Sequence, residues 1–129
     1  MFGTVNALLL NRFLPRNGVD VRPRNKTRAA LIARVHELNR VVSSAQREML
    51  SCLAELEQHE AWLEDGAHDM PHWVSMQLGV SRWKAERWVA AGAALESLPA
   101  IAESFASAEV GIDKVVELTR FATPDDEEA

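Results

Sequence analysis

Three basic side chains, Arg82, Lys84 and Arg87, stand within six positions of one another. Ammonium and guanidinium groups so grouped on an exposed helix can meet phosphates, or donate to the acceptors on base edges. They lie in WVSMQLGVSRWKAERWVAAG, Trp73 to Gly92. This run has the grammar of a helix-turn-helix: a short helix, a glycine turn, a capping serine, and a second helix whose inward positions are Val80, Ala85 and Trp88. In such a motif the second helix enters the major groove of duplex DNA. An ordinary αα-hairpin shares the grammar, because Gly-x-Ser suits any tight helical corner, and Glu86 and the acidic flanks oppose phosphate. A weaker echo follows in Ala100 to Phe121, where Lys114 and Arg120 are offset by Asp113 and Glu117, so packing is its better reading.

Other chemistries are poorly supplied. His68 and His72 are four apart, a ligand spacing when both lie on one helix, but a helix is expected to begin between them. His36 and His59 add no HExxH, and no paired CxxC exists, so neither metal nor cofactor is expected. The single cysteine, Cys52, rules out an intramolecular disulfide and a four-cysteine zinc site. Carboxylates are plentiful, as on any acidic helical surface. Without a GxSxG, a phosphate-cradling glycine loop or a supported Cys/His dyad, no catalytic residue is identified and no enzyme is expected.

All four tryptophans, Trp62, Trp73, Trp83 and Trp88, fall within 27 residues, and tyrosine is absent. Trp88 shares a helix face with Ala85, Ala91, Gly92 and Leu95 and is assigned to the core. Trp83, five residues earlier, points about 140° away. Its expected neighbours are, in order, the long helix described below, a partner, or a stacked base.

The elements that must position these residues follow from breakers and periodicity. From Leu31 the apolar positions run Leu31, Val35, Leu38, Val42, Ala45, Met49, Cys52, Leu56, then His59 and Leu63. The alternating steps of four and three form a heptad seam and predict one amphipathic helix over about Arg28 to Leu63. At ~54 Å it is long for a domain whose radius of gyration would be ~14 Å. Three outcomes fit: a break near Ser43-Ser44, a place in a bundle core, or a second chain along the seam. Leu31, Val35, Leu38, Val42, Met49 and Leu56 are therefore the candidate contact residues for a coiled-coil homodimer or a partner helix.

Beyond Trp62 the segment LEDGAHD is a turn ending in Asp69, which can cap a helix over Met70 to Leu78 with Pro71 in its first turn. Gly79 suits a left-handed C-cap, and Ser81 suits an N-cap for Arg82 to Glu96. Pro99 starts a helix to Ala108, and Glu109-Val110-Gly111 turns to Asp113 and a last helix, Lys114 to Phe121. No stretch alternates with period two for long enough to make a strand. The expected class is all-α, one long amphipathic helix followed by four shorter helices arranged as helix-turn-helix-like hairpins.

Length and composition suit one soluble domain rather than two. No apolar run, Ala7 to Leu10 included, approaches the ~18–20 residues of a membrane span, and the start lacks a basic n-region and a cleavage site. A cytoplasmic location and no membrane partner are expected. The net charge of −5 conceals +7 over residues 1–47 and −12 over residues 48–129. Pro15, Gly18 and Pro23 interrupt the start, so residues 1–26 are read as a flexible basic arm and residues 27–129 as the helical domain. An acidic chain of this kind can still present a basic arm to an anion.

Trp62, Asp65-Gly66-Ala67, Trp73, GVSRWKAERWVAAGAALESLP and FASAEVGIDKVVELTRFATP together resemble domain of unknown function 222. This is the N-terminal domain of the actinobacterial thirteen-E-twelve repeat proteins, whose C-terminus usually carries an HNH endonuclease domain. The resemblance covers about residues 40–126, with Ala108 where the family usually has glycine. No His/Asn/His metal constellation can be mapped onto this sequence, so the resemblance implies a truncated member without nuclease activity. Together with the turn grammar, the family's nuclease companion points to a non-catalytic helical module associated with DNA, contacting duplex through Arg82, Lys84 and Arg87 and the basic arm Arg12 to Arg28. The alternatives are a helix-mediated oligomerisation or protein-interaction module, and a remnant without independent function.

Overall fold

A computed structural model describes residues 27–128, so the expected arm over residues 1–26 lies outside the described residues. Seven helices and no strand occur among the described residues: α1 (Arg28–Gln58), α2 (Ala61–Glu64), α3 (Met70–Leu78), α4 (Arg82–Leu95), α5 (Pro99–Ala106), α6 (Ile112–Phe121) and α7 (Pro124–Glu128). The all-α reading holds, with two one-turn helices, α2 and α7, beyond the four short ones expected. By internal contacts the chain divides into two compact units, Met1–Val41 and Val42–Ala129.

In the first unit, the Thr27 hydroxyl accepts the Ala30 amide at 3.2 Å and satisfies one of the orphan donors at the start of α1. Arg34 and Glu37 pair at 3.1 Å one turn apart. Leu31, Ile32, Val35 and Leu38 are exposed.

In the second unit, residues 42–58 of α1 supply Leu50, Leu53 and Ala54 to a core shared with Met70 and Val74 of α3, Ala85, Val89, Ala91 and Leu95 of α4, Ala102 and Phe105 of α5, and Val115 and Val116 of α6. Burying each larger side chain contributes about 1.5–3 kcal/mol. The buried row is not the heptad seam. Met49 and Leu56 are half-buried, while Val42 and Cys52 are exposed. Leu50 and Leu53 each follow a seam position by one residue, a rotation of ~100°. Apolar residues at 49–50 and 52–54 form two adjacent stripes, and helical periodicity alone does not choose between them. Helix α1 runs unbroken through Ser43 and Ser44. The Ser43 hydroxyl, buried, donates to the Phe105 carbonyl at 2.6 Å near the end of α5, so the serine satisfies a carbonyl there and does not break its own helix.

At Gly92 two helices approach closely. A Cβ on it would stand 2.6 Å from the Leu50 carbonyl oxygen, so only hydrogen fits between α4 and the α1 backbone.

Helix ends differ from expectation where the chain enters the left-handed region. Helix α1 stops at Gln58, not Leu63, because Glu60 has φ 54° and turns the chain into α2. Helix α5 stops at Ala106, and Ala108 has φ 66°. Helix α6 begins at Ile112 behind Gly111, two residues before the expected start, with no side-chain cap. Leu98 likewise gives α5 no side-chain cap. The Glu127 carboxylate supplies it from α7, accepting the Ala100 amide at 3.1 Å and the Ile101 amide at 2.7 Å. No helix among the described residues is long and apolar enough to cross a membrane.

Candidate nucleic-acid interface

The turn that presents α4 is built from its own residues. Asp69 caps α3 by accepting the His72 amide at 2.8 Å. Gly79 closes α3 at φ 68°, its amide donating to the Ser75 carbonyl at 3.0 Å. The Ser75 hydroxyl donates to the Val80 carbonyl at 2.7 Å, and the Ser81 hydroxyl accepts the Lys84 amide at 3.1 Å. Each expected cap in this corner is in place.

The three basic residues do not share one face of α4. Arg82 faces back toward the start of α3, its Nη2 2.6 Å from Asp69 Oδ2 and its Nε 3.3 Å from Glu86 Oε1. The His72 amide above all holds the Asp69 carboxyl below its usual range; burial, the next largest influence, opposes it, and the positive charge and hydrogen bond of Arg82 add to the lowering. Around the helix from Arg82, Lys84 and Arg87 stand together with two tryptophans, each one turn from its partner. Arg87 places its guanidinium carbon 3.8 Å from the Trp83 ring centroid, and Lys84 Nζ is 5.8 Å from that of Trp88. Among the described residues, neither Lys84 nor Arg87 makes an ion pair.

Trp88 is half-buried and packs against the core, as its helix face predicts. Trp83 departs from its first expected neighbour. It remains 62% exposed, covered by Arg87 and not by the long helix.

Beside these residues is a groove of about 210 Å³ between α4 and α6. Trp83, Lys84, Arg87 and Trp88 line it from α4, and Asp113, Val116 and Glu117 from α6. Its two ends of charge come from different helices, cations from one and carboxylates from the other. Glu117 is also 3.6 Å from Arg120 on its own helix. Of the three predicted residues, the groove therefore gathers Lys84 and Arg87, while Arg82 is held by Asp69 and Glu86. The pairs Trp83 with Arg87 and Lys84 with Trp88 were visible as i, i+4 spacings. The carboxylates opposite them had no local signal, since only packing brings α6 alongside α4.

The histidine pair is engaged internally. The His68 amide donates to His72 Nδ1 at 3.0 Å, and the rings stack with centroids 5.0 Å apart. Among the described residues no group of three or more His, Cys, Asp or Glu side chains is placed to hold a metal ion.

The family model described as Domain of unknown function (DUF222) matches residues 27–125. The chain belongs to that family. The DUF222 match starts at the Thr27 cap of α1, earlier than the motif resemblance at about residue 40, and so takes in the first unit's helix as well as the groove. No curated protein and no solved structure matches the chain.

Proposed function

We propose that this DUF222 chain is a non-catalytic helical module that binds duplex DNA through the outer face of α4. The observation that supports it is the placement of Lys84 and Arg87 on the first turns of a helix whose entry is fixed by Gly79 and Ser81, with neither cation in an ion pair among the described residues. The nuclease companion implied by the resemblance points to the same class of partner. Arg82, held by two carboxylates, positions the turn and contributes less to phosphate than the sequence suggests.

Fluorescence anisotropy with a labelled duplex at several salt concentrations tests this reading. Each phosphate contact contributes about −0.9 to the slope of log affinity against log salt. Replacing Lys84 and Arg87 by alanine should flatten the slope by about two contacts, whereas Arg82→Ala should leave it nearly unchanged. Absence of duplex binding at low salt overturns the proposal.

A second reading is self-association through the exposed Leu31, Val35 and Leu38 of the first unit. Sedimentation decides it: a monomer that is unaltered by Leu38→Asp excludes those side chains as a dimer contact.

A further inference from the structure

We propose that the groove between α4 and α6 receives an unpaired nucleobase, stacked on Trp83 and read at its edge by Asp113 and Glu117. This rests on the nucleic-acid reading above and specifies the form of DNA preferred: duplex carrying a single-stranded flank whose bases bear amino groups.

Trp83 is the starting point. A side chain of this size is normally drawn into a core or an interface by its apolar area, yet it stands 62% exposed. Arg87 lies over its ring at 3.8 Å, so a planar cation and an indole already form one stacked pair at the surface. Aromatic rings and guanidinium planes are the surfaces on which unpaired bases stack, and every base offers a π face to them.

The groove beside the pair has the size of a small ligand. Its volume, about 210 Å³, is below the ~300 Å³ at which pockets for drug-sized molecules begin, which suits one base and not a longer segment.

The charges then choose the orientation. Asp113 and Glu117 line the groove from α6 and repel phosphate, so a duplex backbone is not the natural occupant of that side. A carboxylate does accept from the amino group of cytosine, and likewise from other exocyclic base amines. Thymine presents carbonyl oxygens where those amines would be. Lys84 and Arg87, on the α4 side, remain available for the phosphates flanking the base. Stacking, edge recognition and charge neutralisation thus come from three different sets of atoms within one groove.

The full chain is titrated with a blunt duplex and with the same duplex extended by a short single-stranded tail of cytosines or of thymines. Anisotropy reports affinity, and quenching of tryptophan fluorescence reports stacking. The cytosine tail should tighten binding by at least about fivefold over the blunt duplex, with quenching. The thymine tail should gain less. Trp83→Ala should abolish the advantage of the tail and Trp83→Phe should keep most of it, each checked for folding by circular dichroism. Asp113→Asn combined with Glu117→Gln should erase the preference for cytosine over thymine. Equal binding of blunt and tailed duplexes overturns this inference while leaving the duplex reading intact. Failure to bind any of the three overturns both.

Discussion

The two helical hairpins of the second unit, α3–α4 and α5–α6, have the same outline and are closed by different means. In α3–α4 the caps and the turn come from the segment itself: Asp69, Gly79 and Ser81, each within four residues of the group it satisfies. In α5–α6 neither Leu98 nor Gly111 caps with a side chain, and the turn passes through Ala108 in a conformation that costs an L-residue roughly 1–2 kcal/mol. The amides at the start of α5 are satisfied instead from α7 by Glu127, and the Phe105 carbonyl near its end from α1 by Ser43. One hairpin carries its own instructions, and the other depends on chain far away in sequence. The candidate interface stands on the first and borrows its acidic wall from the second.

The sharpest way to break this contrast is at Phe105, fully buried on the dependent hairpin. Phe105→Ala should cost about 3–5 kcal/mol in urea unfolding. Hydrogen exchange should show α5 and α6 losing protection before α3 and α4; simultaneous loss would make the two hairpins a single cooperative unit. Gly92→Ala comes next. Alanine is the better helix former by about 1 kcal/mol, but the added Cβ meets the Leu50 carbonyl at 2.6 Å, so a net loss of about 1–3 kcal/mol is expected by thermal or urea melting.

The caps compare the hairpins directly. Ser81→Ala and Glu127→Ala should each cost about 1 kcal/mol. Exchange should quicken in the first turn of α4 for the former and in the first turn of α5 for the latter, 26 residues from the site of change as counted to Ile101. Ala108→Gly should stabilise by about 0.5–1 kcal/mol, since glycine takes φ 66° without the steric cost. No gain would mean that the turn is not strained.

The smallest effect concerns acid. The Asp69 carboxyl titrates below its ordinary value of 3.8 in the folded chain, so its contribution is complete above that value and fades as pH falls through the lower, folded one. Asp69→Asn keeps an acceptor for the cap and removes the charge facing Arg82. The variant should be less stable than the parent at neutral pH by no more than about 1 kcal/mol, with the gap closing below pH 3.8.

The legible parts of the fold were those written in neighbouring residues. Pro71, Gly79 and Ser81 announced the corner at α3–α4 because a cap or a left-handed turn acts over one helical turn. The stacking of Trp83 with Arg87 has a local signal too, their i, i+4 spacing, though other neighbours were expected for Trp83. Locality failed for Arg82, whose spacing from Lys84 and Arg87 suggested a common cluster until Asp69, thirteen residues earlier, was found holding it. It failed also for Trp83 itself, since nothing local states whether another helix will cover a surface ring.

By itself, the sequence determined that the chain is helical, where most helices begin, and which corner presents Lys84 and Arg87. These follow from hydrogen bonds and steric limits between residues at most a few positions apart. Tertiary structure alone decided which of two apolar stripes on α1 is buried, that Gly92 must leave room for the Leu50 carbonyl, that Glu127 caps α5, and that Asp113 and Glu117 face the tryptophan groove. Those outcomes depend on how whole helices fill space against one another, and close packing selects among arrangements that local periodicity leaves equal.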